Sequence, residues 1–229
     1  MRRAAIIAVA LFVPAPAAGA ATLRVERGCY LSKQPALPAG QQIIARGEGW
    51  APNAAVSLTI GGSPIGLPAG TNAAGALAVA FSAPALPEGQ FKATRTLAAS
   101  DGTNQASTPV ALRVLAADFF PAATQNAATQ RVHFLVYGFG PLLTAFNKST
   151  SQTVYMHVFQ PGGRRRGTFN VGRTSGACGD LRTRRRKILP FGLKNGTWTY
   201  RFTTARRYSA RSLPQSEVGF RVTTVFRPG

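Results

Sequence analysis

Glycine and proline recur every few residues along this chain, 24 and 16 of them among 229, and that spacing leaves little room for helices. Proline removes an intrahelical donor and clashes with the preceding turn, while an interior glycine costs about 1 kcal/mol relative to alanine. Between these breakers lie short stretches rich in Val, Thr, Phe and Tyr, the composition of strands. In the first half they cover residues 22–26, 42–46, 56–60, 77–82, 91–97 and 110–115. In Val56-Ser57-Leu58-Thr59-Ile60 the apolar residues alternate with polar ones, so one face of a strand is apolar and the other wet. Gly61-Gly62, Asn72-Ala73-Ala74-Gly75 and Ser100-Asp101-Gly102 supply turn chemistry between stretches. Six such stretches within roughly 95 residues point to a β-sandwich.

The second half repeats the pattern at 131–137, 154–159, 168–171, 181–188, 197–203 and 218–226. A weak internal match suggests duplication of one unit. Ile43-Ile44-Ala45-Arg46-Gly47 precedes Val56-Ser57-Leu58-Thr59-Ile60, as Phe134-Leu135-Val136-Tyr137-Gly138 precedes Val154-Tyr155-Met156-His157-Val158. The second copy carries an extra polar stretch at 141–151, expected to be a long loop. The division falls near Ala116-Ala117-Asp118. The expected architecture is all-β, with tandem sandwiches at 21–116 and 117–229 after a signal peptide at 1–20.

That N-terminal assignment rests on three features. Met1-Arg2-Arg3 is a positive start, residues 4–13 form an apolar run, and Ala18-Gly19-Ala20 offers the small residues of a cleavage site after Pro14 and Pro16. The run is too short for a bilayer, which needs about 20 apolar residues, and no longer apolar stretch follows. The mature protein is expected to start near Ala21, to lack a transmembrane segment and to reside outside the cytoplasm or at the cell envelope.

Gly47-Glu48-Gly49-Trp50-Ala51-Pro52-Asn53-Ala54-Ala55-Val56 resembles a segment of the bacterial immunoglobulin-like repeats found in secreted and surface proteins. Thr71-Asn72-Ala73-Ala74-Gly75 resembles the hairpin that follows it in those repeats. Asn53 departs from the pattern, which usually has glycine there. The second half resembles uncharacterised secreted proteins of high-GC bacteria at Gly176-Ala177-Cys178-Gly179, Gly196-Thr197-Trp198 and Arg207-Tyr208-Ser209. The resemblance implies two immunoglobulin-like sandwiches and carries no activity with it.

Two cysteines in an exported chain favour a disulfide. Cys29 and Cys178 lie one in each half, so an intramolecular bond would join the halves. It would close a loop of about 150 residues, worth roughly 5 kcal/mol in the chain-entropy account. Two separate thiols, or a bridge between molecules, are the alternatives. Two cysteines and two histidines without ligand spacing give no metal site, and no motif implies a cofactor.

No nucleophile elbow, phosphate-binding loop or His-Glu-x-x-His motif is present, so no catalytic residue is assigned. His133 and His157 fall inside strand patterns and read as strand histidines facing solvent or a hydrogen-bond partner. The sharpest enzymatic alternative pairs Cys178 with a histidine as nucleophile and base.

Charge is uneven. Residues 21–116 carry seven basic residues against four acids, and 117–229 carry 18 against three, a net of +15. The candidate polyanion-binding residues form three clusters: Arg164, Arg165 and Arg166; Arg182, Arg184, Arg185, Arg186 and Lys187; Arg206 and Arg207. The first follows Pro161-Gly162-Gly163 and is expected at a hairpin tip. Strand alternation would send Arg182, Arg184 and Arg186 to one face, where guanidiniums grip phosphate, sulfate or carboxylate groups bidentately. Tyr155, Trp198, Tyr200 and Tyr208 lie near these clusters and would either stack on sugars or fill the core. The expected function is binding or adhesion to an anionic cell-wall polymer, polysaccharide or lipid headgroup. Nucleic acid is less favoured, because no reader motif is present. A passive spacer and an extracellular enzyme are the alternatives.

Overall fold

The computed structural model describes residues 20–121, 129–145, 148–192 and 194–222. All of the expected signal peptide except Ala20 lies outside the described residues.

In the first half, β1 (Arg24–Val25), β2 (Tyr30–Leu31) and β3 (Gln42–Gly47) precede β4 (Ala55–Ile60), β5 (Ser63–Pro64) and β6 (Ala69–Gly70). Then come β7 (Leu77–Ser82), β8 (Lys92–Ser100) and β9 (Gln105–Arg113). Strands β1, β3 and β7 form one sheet, and β2-β9-β8-β4-β5 form the other, with β6 also on β4. Alternation decides which side is buried: Ile43 and Ala45 of β3 meet Val56, Leu58 and Ile60 of β4 in one cluster with Leu97 and Leu112. Each Val, Leu or Ile among them contributes about 1.5–3 kcal/mol when fully removed from water. β2 pairs with β9 in parallel, an exception among antiparallel partners.

The segment with the immunoglobulin-repeat pattern joins β3 to β4. Trp50 is buried within it. Asn53, at the position that departs from the pattern, has φ of 51°, the left-handed conformation that glycine and asparagine tolerate best. Gly75 at φ of 70° packs so closely on Trp50 that a Cβ there would lie 2.2 Å from the Trp50 carbonyl oxygen. Asp101 ties this loop to the β8–β9 turn, accepting from the Ala51, Thr103 and Asn104 amides, and these bonds hold its carboxyl well below the usual range.

In the second half, β10 (Ala116–Phe120) and β11 (Arg131–Tyr137) lead into α1 (Phe139–Ala145), followed by β12 (Thr153–Phe159) and β13 (Arg165–Arg173). The chain continues through β14 (Leu181–Arg182), β15 (Arg186–Lys187), β16 (Gly196–Thr203) and β17 (Gln215–Val222). One sheet has the order β10-β11-β14, with β15 also on β11; the other has the order β13-β12-β16-β17. Phe134 of β11 packs edge-on against Tyr200 of β16 at 5.4 Å, and the Tyr200 hydroxyl donates to the Ile188 carbonyl. In each half the matched strand pair crosses between sheets, β3 to β4 and β11 to β12, over a shared apolar core. These are two immunoglobulin-like sandwiches.

Two details depart from the sequence reading. The start of the expected loop at 141–151 is the end of α1, because Phe139 and Leu143, four residues apart, are both buried. Pro141 sits in its first turn, where no intrahelical donor is lost. The expected strand 181–188 is two short pieces, β14 and β15, so Arg182, Arg184 and Arg186 do not share one continuous strand.

The halves are joined covalently by Cys29–Cys178, with Cα atoms 5.2 Å apart. Close by, the Arg113 side chain from β9 donates to Asp180 Oδ2 at 2.8 Å, and Asp180 Oδ1 accepts from the Gly138 amide. The Leu115 amide donates to Gln34 Oε1 at 3.1 Å.

Candidate functional site

The outer face of the sheet β13-β12-β16-β17 is built by the alternation of β12. Val154, Met156 and Val158 point into the core, so Tyr155, His157 and Phe159 point outward. Register places Thr168 of β13 and Arg201 of β16 on either side of His157, with Glu217 of β17 beyond Arg201. The loop after β16 folds back over this row. Tyr208 lies 5.2 Å from the His157 ring and 5.0 Å from Phe159, centroid to centroid. Arg201 holds the loop down: its guanidinium stacks over Phe159 at 5.1 Å and over Tyr208 at 5.5 Å. It also donates to the Tyr208 hydroxyl and, at 2.6 Å, to Glu217 Oε2.

Under that cover His157 is 0% exposed although it lies on the outer face. Its hydrogen bonds place a proton on Nε2. Nε2 lies 3.2 Å from the Ala205 carbonyl, which only accepts, so Nε2 carries the proton. Thr203 Oγ1 gives its own proton to the same carbonyl and lies 3.0 Å from Nε2 as a second acceptor. Nδ1 then accepts from Thr168 Oγ1 at 2.9 Å. Burial pushes the His157 pKa down, Arg165 adds to that, and the bond to Ala205 opposes it, leaving the ring neutral near pH 7.

Beside this row lies an open cleft of about 650 Å³ lined by Tyr155, Thr168, Asn170, Arg206 and Arg207. Arg206 and Arg207 are exposed, as are Arg164, Arg165 and Arg166 at the β12–β13 hairpin tip. Arg165 is near enough to act on His157, while Arg166 turns the other way and lies over Phe191 at 5.4 Å. The third cluster belongs elsewhere. Arg182, Arg186 and Lys187 lie on β14 and β15, which pair with β11 in the opposing sheet. Arg184, Arg185, Arg186 and Lys187 are four consecutive exposed residues there, at a sheet edge where charge opposes pairing with a foreign strand. Arg182 lines a different cleft at the junction of the halves, with Lys92, Asp118, Phe120 and Tyr137.

Among the described residues none of these clustered cations has an ion-pair partner. The ion-paired acids of this half are engaged by other arginines, Asp180 by Arg113 and Glu217 by Arg201. The four nearby aromatics divide evenly: Trp198 and Tyr200 are core, whereas Tyr155 and Tyr208 sit on the outer face. Thr168, Asn170 and Arg201 were not singled out by sequence. The alternation Val154-Tyr155-Met156-His157-Val158-Phe159 was the available signal for which face they share.

Both histidines have partners, as expected of strand histidines: His133 Nδ1 donates to the Thr183 carbonyl at 2.7 Å. The Cys178–histidine alternative is corrected, because the Cys178 sulfur is bonded to Cys29 and has no thiol to give.

No family model matches the chain, and no curated protein matches it. Among solved structures, a tetra-tandem repeat from the extending region of a large adhesion protein aligns over 88% of this chain and 48% of its own, at 17% identity and a TM-score of 0.30. The BSP domain of a biofilm-associated protein aligns over 89% of this chain and 30% of its own, at 13% identity and a TM-score of 0.27. Bovine butyrophilin aligns over 89% of this chain and 99% of its own, at 10% identity and a TM-score of 0.29. The chain therefore spans under half the length of the first two.

Proposed function

We propose that the chain is an exported, non-enzymatic binding module that holds anionic polymers of a cell envelope or its surroundings through its second sandwich. The observation that carries this reading is unpartnered charge: Arg164, Arg165, Arg166, Arg206 and Arg207 are exposed on or beside one sheet, without acids paired to them among the described residues. Such a surface attracts polyanions over about a Debye length, near 10 Å at 0.1 M salt, and guanidiniums then grip carboxylate, sulfate or phosphate in pairs. The Cys29–Cys178 bond supports residence in an oxidising compartment, as the pattern at 1–20 does. A passive spacer would need no such asymmetry between its halves.

A hydrolase is the second reading, and one observation favours it: a threonine hydroxyl on a cleft wall bonded to a neutral, oriented histidine. One experiment addresses both. The purified exported protein is cosedimented with bacterial cell envelopes at low and high salt, beside the variant R164S/R165S/R166S/R206S/R207S. The wild type should sediment at low salt, come off at high salt, and bind about tenfold or more tightly than the variant. Failure to sediment at low salt overturns the binding reading. Shortened polymer chains released into the supernatant would instead favour the hydrolase.

A further inference from the structure

We infer that the cleft between Tyr155, Thr168, Asn170, Arg206 and Arg207 is a subsite for one acidic sugar residue, a carboxylated or sulfated hexose within a longer chain. The inference rests on the binding reading above and narrows it to a place and a ligand chemistry.

The wall groups are of mixed type, and the mixture is informative. Arg206 and Arg207 offer fixed positive charge and forked donors to a carboxylate or sulfate. Thr168 spends its hydroxyl proton on His157 Nδ1, so toward the cleft it is an acceptor. Asn170 Oδ1 accepts from the Gly172 amide at 3.0 Å, which leaves the amide nitrogen of Asn170 as a donor to the cleft. A bare phosphate or sulfate ion has no use for an acceptor on the wall of a basic cleft. A sugar acid has both partners on one molecule, an anionic group for the arginines and hydroxyls that donate to Thr168 and accept from Asn170. Tyr155 adds a ring with an apolar face and a polar tip, suited to the partly apolar side of a pyranose. At about 650 Å³ the cleft falls within the range of about 300–1,000 Å³ usual for small-ligand sites.

The walls are also held in place before any ligand arrives. Thr168 is fixed by buried His157, His157 by Thr203 and Ala205, and the loop bearing Arg206 and Arg207 by Tyr208 beneath the Arg201 guanidinium. A site so arranged loses less side-chain freedom on binding than flexible surface arginines do.

The test is calorimetric titration with trigalacturonate, a sulfated tetrasaccharide of the heparin type, neutral maltotriose and inorganic tripolyphosphate. Each is titrated into the full exported protein, R206S/R207S, Y155A and R184S/R186S, with thermal melts to check folding. The expected result is that one or both acidic sugars bind. R206S/R207S weakens that binding tenfold or more, Y155A weakens it several-fold, and R184S/R186S leaves it within twofold. Which acidic sugar binds more tightly assigns the anion as carboxylate or sulfate. Equal loss in R184S/R186S and R206S/R207S would overturn the subsite, as would tripolyphosphate binding the cleft as tightly as either sugar acid. Envelope binding without any acidic-sugar binding would overturn the subsite and leave the polymer reading standing. Absence of both would remove the two together.

Discussion

His157 occupies a position where strand alternation sends a side chain outward, yet it is fully buried, and its neutral state follows from that burial. The folded protein holds the ring pKa below its ordinary value, so the unfolded chain binds a proton more readily than the folded one. Stability from this group is therefore complete above about pH 6.5, the pKa of a free histidine. It falls away as pH drops through the lower folded value. Arg165 contributes through repulsion, whereas the Ala205 carbonyl acts in the opposite direction. Arg201, paired with Glu217, and Tyr208 also face the ring. Urea midpoints for the wild type should decline from pH 7 to pH 5, and His157→Gln should flatten that decline. The variant should also be less stable at pH 7 by about 1–3 kcal/mol, because Thr168 and Thr203 lose a partner. An unchanged slope would mean that the ring's protonation is not linked to folding.

At the scale of elements, strand positions were mostly legible because period-two alternation and Gly or Pro boundaries act locally. Residues 42–46, 56–60, 77–82 and 131–137 lie within or on the strands they announced. What misled was the basic run, whose alternation has a hidden interruption at Thr183. The Thr183 amide donates to the Phe134 carbonyl at 2.9 Å, and its hydroxyl, rather than a backbone carbonyl, accepts from the Phe134 amide at 2.9 Å. A side chain thus replaces one rung of the ladder, and Arg184 and Arg185 leave the sheet. No local pattern distinguishes that threonine from an ordinary strand threonine. Replacing it with valine keeps the shape and orphans the buried Phe134 amide, which should cost about 1–3 kcal/mol in a denaturant titration. Serine, which keeps the hydroxyl, should cost less. Equal losses for both would assign the effect to the methyl group's packing. The cleft beside His157 was less legible for a different reason: Tyr155, Asn170 and Arg206 come from two strands and a loop, and only the folded loop brings them together.

At the scale of the whole molecule, one covalent link, a few polar contacts and the stacked rings of Phe91 and Tyr137, 5.5 Å apart, span two separate apolar cores, one from Leu23 to Leu112 and the other from Ala117 to Val222. Arg113 and Asp180 are partly shielded, but a single such pair rarely contributes more than a few kcal/mol once desolvation is counted. The Cys29–Cys178 bond acts instead on the unfolded chain, closing a separation of 149 residues. In the entropic account a loop of that length is worth roughly 5 kcal/mol, and the gain is shared by both sandwiches because the loop spans parts of each. With the bond in place, opening one core strains the loop that the other anchors, so calorimetry should record one dominant unfolding transition. In C29S/C178S each core answers for its own stability, and the heat should divide into two transitions, both at lower temperature. Thiol titration of the denatured wild type without reductant should find no free sulfhydryl. If the double variant still melts as one unit, the contacts of Arg113, Asp180 and Gln34 and the Phe91–Tyr137 stack across the junction couple the cores without the covalent link. The relative orientation of the two sandwiches would then survive reduction.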